Sequence, residues 1–323
     1  MGHDAATQPA LEPGVRIFVD AVMAATARLA GAGPVSLSEA RRIAEIVRKP
    51  WREGGPAMAH TSEHMASADG RQVSVRIYEP DGAPKSNGAL VYLHGGGWTL
   101  FSLDTHDRLM REYAGRSGLT VVGVDYSLSP EARFPVALEE SVGVLTWLAR
   151  EGADLGIDAA RLAIGGDSAG ANLALAAALE SRDAAHTPPL RALLLNYGAF
   201  DTRVSDEAAR DLGAPGAMLT AEEMATYWAN YLRSPLDAAD PLAAPLGAKL
   251  ASLPPVFLAA AECDVLCEQS VALAARLTSF GVAADLRVYR GAAHSFLEAV
   301  SVSALAARAL DEAAGWLRDI TSS

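Results

Sequence analysis

Four groups of residues in this chain combine types and spacings suited to nucleophilic catalysis. The first is Gly166-Asp167-Ser168-Ala169-Gly170, preceded by the apolar run Leu162-Ala163-Ile164, which reads as a strand feeding a sharp turn. A serine hydroxyl is a weak nucleophile until it is exposed, aligned with a base and set beside backbone N–H donors; a strand-turn-helix corner supplies exposure and alignment. Glycines two positions before and after the serine suit such a corner, because any side chain there would strike the neighbouring strand or helix. The second group is His94-Gly95-Gly96-Gly97-Trp98, directly after the apolar run Ala89 to Leu93. Successive glycines let a backbone turn its N–H groups toward developing negative charge, so Gly96 and Gly97, with the amide of Ala169 beside the serine, are the expected oxyanion donors.

Chain order selects the other two groups, since behind a nucleophile elbow the acid and then the base follow on loops after strands. The buried-strand run Val256 to Ala261 ends in Glu262-Cys263-Asp264-Val265-Leu266, which places Asp264 as the acid. The alternating run Leu286 to Tyr289 leads to Arg290-Gly291-Ala292-Ala293-His294-Ser295-Phe296, which places His294 as the base. Plainer competitors exist. Glu262 lies closer to its strand end and reads as structural. His186 falls in a polar stretch, Asp183 to Pro189, and reads as a solvated loop histidine; His94 reads as support for the glycine loop rather than as a base. A lone Ser-Gly turn recurs by chance in doubly wound domains, so the weight rests on the conjunction of motifs.

Together with Asp125-Tyr126-Ser127-Leu128-Ser129-Pro130-Glu131-Ala132-Arg133-Phe134-Pro135, these motifs resemble the hormone-sensitive-lipase family of α/β-hydrolases. Within it, that stretch and Asp104-Thr105-His106-Asp107-Arg108 look most like bacterial acetyl esterases, and the resemblance spans roughly residues 70 to 318. It implies a serine carboxylesterase acting on short-chain acyl esters, acetyl to hexanoyl, through an acyl-enzyme. Ser168, Asp264 and His294 would be the triad, and Gly96, Gly97 and Ala169 the oxyanion hole, with no cofactor and no metal. The chain departs from the family at Ser127 and Ser129, where many members carry Arg and Ala, and at Cys267, where they carry a small or acidic residue. Alternatives on the same fold are an amidase or N-acyl hydrolase with the same triad, and a regulatory protein that binds a partner. A ligand receptor that has lost the histidine is disfavoured by His294.

These residues need a scaffold, and the pattern supplies one. Apolar runs at Val73 to Tyr78, Ala89 to Leu93, Thr120 to Asp125, Leu162 to Gly166, Ala192 to Asn196, Val256 to Ala261 and Leu286 to Tyr289 alternate with helical spacing near 105–117, 136–150, 169–181, 269–280 and 301–318. Such alternation predicts an α/β chain with a mostly parallel, doubly wound central sheet flanked by helices. With the resemblance this becomes the α/β-hydrolase fold, with about eight strands and a helical cap. Residues 1–55 (Val15, Phe18, Val19, Val22, Met23 at helical spacing) and 200–245 (helical from Glu222 to Leu232) stand outside the alternation and are expected to form the cap, leaving 56–199 and 246–323 as the catalytic core. Tyr227, Trp228 and Tyr231 either line an acyl pocket or pack a helix face, and Asp81 to Gly88 reads as a hairpin or loop.

Composition narrows the partners. Of 323 residues, 50% are hydrophobic, enough for a large core, and the net charge of −12 disfavours nucleic acid, whose phosphates would be repelled. No apolar run approaches bilayer length, and Met1 to Ala6 lacks both the basic start and apolar core of a secretion signal and the Ser or Thr of a myristoylation signal. The expectation is a cytoplasmic protein whose partner is a small-molecule ester, with neither nucleic acid nor membrane; a homodimer is compatible with it. Cys263 and Cys267 are expected to be buried thiols rather than a disulfide or metal clip.

Overall fold

The computed structural model describes residues 9–68, 70–184 and 187–322. His186 and Met1 to Ala6, read above as a loop histidine and as a start without targeting signals, lie outside the described residues. Elements follow in the order α1 (Pro13–Ala30), α2 (Leu37–Arg52), β1 (His60–Ala68), β2 (Arg71–Glu79), β3 (Asn87–Leu93), α3 (Asp107–Ser117), β4 (Thr120–Asp125), α4 (Val136–Glu151), β5 (Ile157–Asp167), α5 (Ala169–Asp183), β6 (Leu190–Asn196), α6 (Asp206–Asp211), α7 (Ala221–Tyr231), β7 (Val256–Cys263), α8 (Cys267–Ser279), β8 (Ala284–Ala293) and α9 (Ala304–Thr321). The eight strands form one sheet, ordered β1-β2-β4-β3-β5-β6-β7-β8; β1 and β2 are antiparallel to their neighbours and the rest are parallel.

Strand residues alternate between two cores. Ala89, Val91 and Leu93 of β3, with Val122, Val124, Ile164, Leu193 and Leu258, face α4, α5 and α8. Leu90 and Tyr92 of the same strand, with Val121, Ala163, Leu194 and Phe257, face α1, α3 and α9. Both faces being covered explains why the central runs are continuously apolar in sequence. α5 is buried along most of its length beneath β3, β5 and β6, as its run of Ala and Leu requires. No helix among the described residues is long and apolar enough to cross a membrane.

No apolar run marks β1, because it is a sheet edge with only Ala66 and Ala68 buried; six of its other seven residues are polar, and the seventh, Met65, is exposed. Of the two alternatives for Asp81 to Gly88, the structure takes the loop rather than the hairpin, because β2 pairs with β4 rather than with β3 and the segment carries the chain past β4.

Helix α4 crosses β1 at Gly143, where a Cβ would overlap Ala68, whereas Gly315 in α9 has only the tip of Arg318 within 4 Å. Gly143→Ala is therefore expected to cost about 1 to 3 kcal/mol through overpacking. Gly315→Ala should stabilise by roughly 0.5 to 1 kcal/mol through helix propensity. Urea unfolding of the two variants checks both signs.

Candidate active site

The C-terminal ends of β3, β5, β7 and β8 all open on the same edge of the sheet, where open α/β sheets bind their ligands. β5 ends at Asp167, α5 begins at Ala169, and Ser168 between them has φ 54° and ψ −118°, a strained conformation for a residue with a Cβ. The surroundings hold it there. Ser168 N–H donates to Asn196 C=O at 2.9 Å, and its own carbonyl accepts from the N–H groups of Asn172 and Ala199. Gly166 and Gly170 both pass so close to the Leu93 carbonyl that a Cβ on either would overlap it, the collision the sequence spacing implied.

His294 follows β8, and its Nε2 lies 2.9 Å from Ser168 Oγ while its Nδ1 lies 2.7 Å from Asp264 Oδ2. A carboxylate can only accept, so Nδ1 carries a proton and the Nε2 lone pair is left for the serine hydroxyl. Asp264, directly after β7, is fixed by Leu266 N–H on its other oxygen at 3.0 Å. Ser168, Asp264 and His294 are 6%, 2% and 7% exposed, so the chain is nearly dry yet reachable at the serine end. Glu262 points elsewhere: its carboxylate accepts from Gly291 N–H at 2.9 Å. Cys263 and Cys267 are free thiols, but half-buried rather than buried. Burial, with Glu262 and Asp264 nearby, pushes each up to about 11.

Across the serine lies the loop after β3. Gly96, Gly97 and Trp98 have φ of 111°, 58° and 56°, a left-handed run that glycine makes accessible. The N–H groups of Gly96 and Gly97 donate to nothing among the described residues, while Gly96 C=O accepts from Thr99 and Leu100. Ala169 opens α5, whose positive N-terminal end supplies a third free donor. This arrangement can receive negative charge on an oxygen bonded to the carbon that Ser168 attacks.

His94 braces that loop. Its Nδ1 donates to Gly95 C=O at 2.7 Å, and its ring stacks on Tyr126, whose hydroxyl donates to His94 C=O. Burial and the neighbouring His106 drive it down to about 3, so it stays neutral. The aromatics of α7 divide between the two roles open for them. Trp228 and Tyr231 pack on buried Trp98, Tyr231 stacked at 4.3 Å. Tyr227 lies over Gly97, where a Cβ would overlap its ring, and borders a cavity of about 450 Å³.

Two buried ion pairs frame the site, and no motif announces either pairing. Asp167 accepts from Tyr92 hydroxyl at 2.9 Å and Gly95 N–H at 3.1 Å, and its second oxygen faces His106 Nε2 at 3.4 Å. On the other side of that ring, Thr105 Oγ1 donates to Ser102 C=O, so His106 Nδ1 must donate to Thr105. Both ring nitrogens are thus donors and His106 is cationic. Burial alone would lower His106, but the Asp167 carboxylate more than reverses this; burial would raise Asp167, and His106 outweighs it to hold the acid below its ordinary range. The second pair is Arg48 of α2 with Glu298, 2.7 Å apart and about 5% exposed, in the turn after His294; the guanidinium lies over the rings of Phe18 and Phe101.

A family model described as alpha/beta hydrolase fold matches residues 90–298. Among solved structures, the chain is similar to a hyperthermophilic esterase from the archaeon Pyrobaculum calidifontis, with 29% identity over 97% of this chain and 100% of that one, at a TM-score of 0.89. A thermophilic and thermostable carboxylesterase cloned from a metagenomic library is 30% identical over 88% of this chain and 97% of its own, with a TM-score of 0.84. A thermostable esterase from Pseudomonas putida is 28% identical over 98% and 99%, again at 0.89.

The His106–Asp167 pair generates a stability signature. The raised His106 contributes stability that is complete below the unfolded histidine value of about 6.5 and lost as pH rises through its folded value. The depressed Asp167 contributes above about 3.9 and is lost as pH falls through its folded value. Both contributions coincide between these limits. His106→Asn should therefore destabilise by about 3 kcal/mol near pH 5.5 and by less at pH 9. Urea titrations at both pH values measure this; a deficit that grows with pH would contradict it.

Proposed function

We infer that this chain, which belongs to the α/β-hydrolase family in its hormone-sensitive-lipase group, is a serine carboxylesterase acting on short-chain acyl esters, acetyl to hexanoyl. The observation that carries this reading is the unbroken hydrogen-bonded chain from Asp264 through His294 to Ser168, set opposite two free glycine amides. That the three solved relatives are named esterases favours an ester over an amide as the substrate.

In the proposed reaction, Ser168 Oγ attacks the ester carbonyl carbon as His294 Nε2 takes its proton. The carbonyl electrons move onto oxygen, where the amides of Gly96, Gly97 and Ala169 receive the charge. The tetrahedral intermediate collapses, the C–O bond to the alcohol breaks, and His294 returns its proton to the departing oxygen. Water then attacks the acyl-Ser168 ester by the same sequence and frees the acid. Asp264 keeps the imidazole in the required tautomer and steadies the imidazolium.

We further propose that residues 1–55 and 200–245 cap the site, over a core of 56–199 and 246–323. Two contacts support this: α7 lies on the Gly97 and Trp98 loop, and Arg48 of α2 pairs with Glu298 in the turn after His294. An enclosed acyl cavity favours each added methylene by at most about 0.8 kcal/mol until it is full, after which further chain clashes or stays wet. Cytoplasmic residence and an ester as the partner, without nucleic acid or membrane, belong to the same proposal; so does a homodimer. The acidic composition supports the exclusion of nucleic acid, and the two free thiols support cytoplasmic residence.

Ser168→Ala is expected to lower kcat by roughly 10⁶ with the circular dichroism spectrum unchanged. Asp264→Asn should cost about 10⁴ and Glu262→Gln far less; the opposite ranking would move the acid to Glu262. Across p-nitrophenyl esters, kcat/KM should peak between acetyl and hexanoyl and fall steeply by decanoyl, with no jump in rate above the solubility limit. A maximum at dodecanoyl or beyond would contradict the short-acyl assignment.

A further inference from the structure

We propose that Met218 sets how long an acyl chain the site accepts, by standing as the shared wall between one cavity beside the oxyanion loop and another beside the Asp264 and His294 loops. The proposal rests on the esterase reading above. The larger cavity, about 450 Å³, is lined by Tyr227, whose ring lies over Gly97, by Leu100 and Phe101, and by Ile43 and Val47 of α2. The smaller, about 210 Å³, touches Cys263 and Ala293, the immediate neighbours of Asp264 and His294, and includes Arg16 and Asp211. Among the described residues only Ala217 and Met218 line both.

An ester has two arms, and the chemistry assigns them. His294 must hand its proton to the leaving oxygen, so the alcohol departs on the His294 side, toward the smaller, more polar cavity. The acyl arm then takes the larger apolar one. At this shared boundary Ala217 presents only a methyl, so the Met218 side chain is the larger part of the wall. Its loop is tied at the base by Ala221 N–H to Gly213 C=O and internally by Ala217 N–H to Ala214 C=O, both 3.0 Å. The wall is therefore held in place by backbone bonds, and its extent is decided by the side chain at 218. Methionine is unbranched and adaptable, and it fills such a gap without rigidly matching it.

Shortening this residue should let an acyl chain run from the larger cavity into the smaller one. Each methylene newly buried contributes about fourfold in kcat/KM, so two should raise the decanoyl-to-acetyl ratio about fifteenfold in Met218→Ala. Met218→Trp should act in the opposite direction and lower the hexanoyl-to-acetyl ratio, because the indole would fill the end of the acyl cavity.

The experiment measures kcat/KM for p-nitrophenyl acetate, hexanoate, octanoate and decanoate in the wild type and both variants, each checked for folding by circular dichroism. Ratios within one protein cancel any general loss of activity. Opposite shifts in the two variants are the expected result. Folded variants whose profiles run parallel to the wild type would overturn the wall, with esterase activity itself intact. A wild type that turned over none of the esters would instead overturn the esterase reading, and the role of Met218 with it.

Discussion

The carboxylate of Asp167 is buried between a tyrosine hydroxyl, a backbone N–H from the glycine loop and a cationic histidine. An uncompensated charge in that position would cost several kcal/mol, so each of the three partners adds to the stability of the folded chain around it. Their identities matter for chemistry. Gly95 belongs to the segment that carries the free amides of Gly96 and Gly97, and Asp167 is the residue before Ser168. One side chain thus holds the oxyanion loop against the nucleophile turn. It does so beside a backbone whose φ of 54° at Ser168 carries strain of order 1 to 3 kcal/mol. The Asn196 and Asn172 backbone bonds fix the turn from the opposite side.

From this tie the remaining parts follow by position. The parallel strands bring His294 and Asp264 to the same sheet edge, and the Asp264 bond to Nδ1 decides which imidazole nitrogen meets the serine. Further out, α7 docks on Trp98 through Tyr231 and Trp228, while α2 is anchored by Arg48 to Glu298, four residues beyond His294. The helices outside the core are therefore fastened to the two segments that do the proposed chemistry, the oxyanion loop and the histidine turn.

Much of this was legible in the sequence because it is locally encoded. The elbow and the glycine loop each follow a continuously apolar strand, and such runs, buried on both faces, mark parallel strands well. Asp264 could be selected because it also follows such a strand, and His294 because it follows the alternating run Leu286 to Tyr289 of the edge strand β8. Other features depend on distant partners. β1 has polar residues at most positions because it is an edge, so no periodicity betrays it. His106 reads only as part of a family-like segment until the fold sets Asp167 beside it, 61 residues away in sequence. Arg48 and Glu298 lie on separate helical turns that nothing in their local pattern relates. The aromatics of α7 show why a helical stripe is ambiguous: Trp228 and Tyr231 fill a core, and Tyr227 on the same helix lines a cavity.

The central claim is that Ser168, activated by His294 and Asp264, attacks an acyl-like electrophile beside the Gly96, Gly97 and Ala169 amides. Diethyl p-nitrophenyl phosphate tests it directly, because attack on phosphorus releases p-nitrophenolate and leaves a stable diethylphosphoryl group on the nucleophile. Release of one p-nitrophenolate per chain, with peptide mass spectrometry placing the adduct on Ser168, is the expected result. An adduct on any other side chain, or no adduct on an enzyme that is turning over esters, would contradict the account.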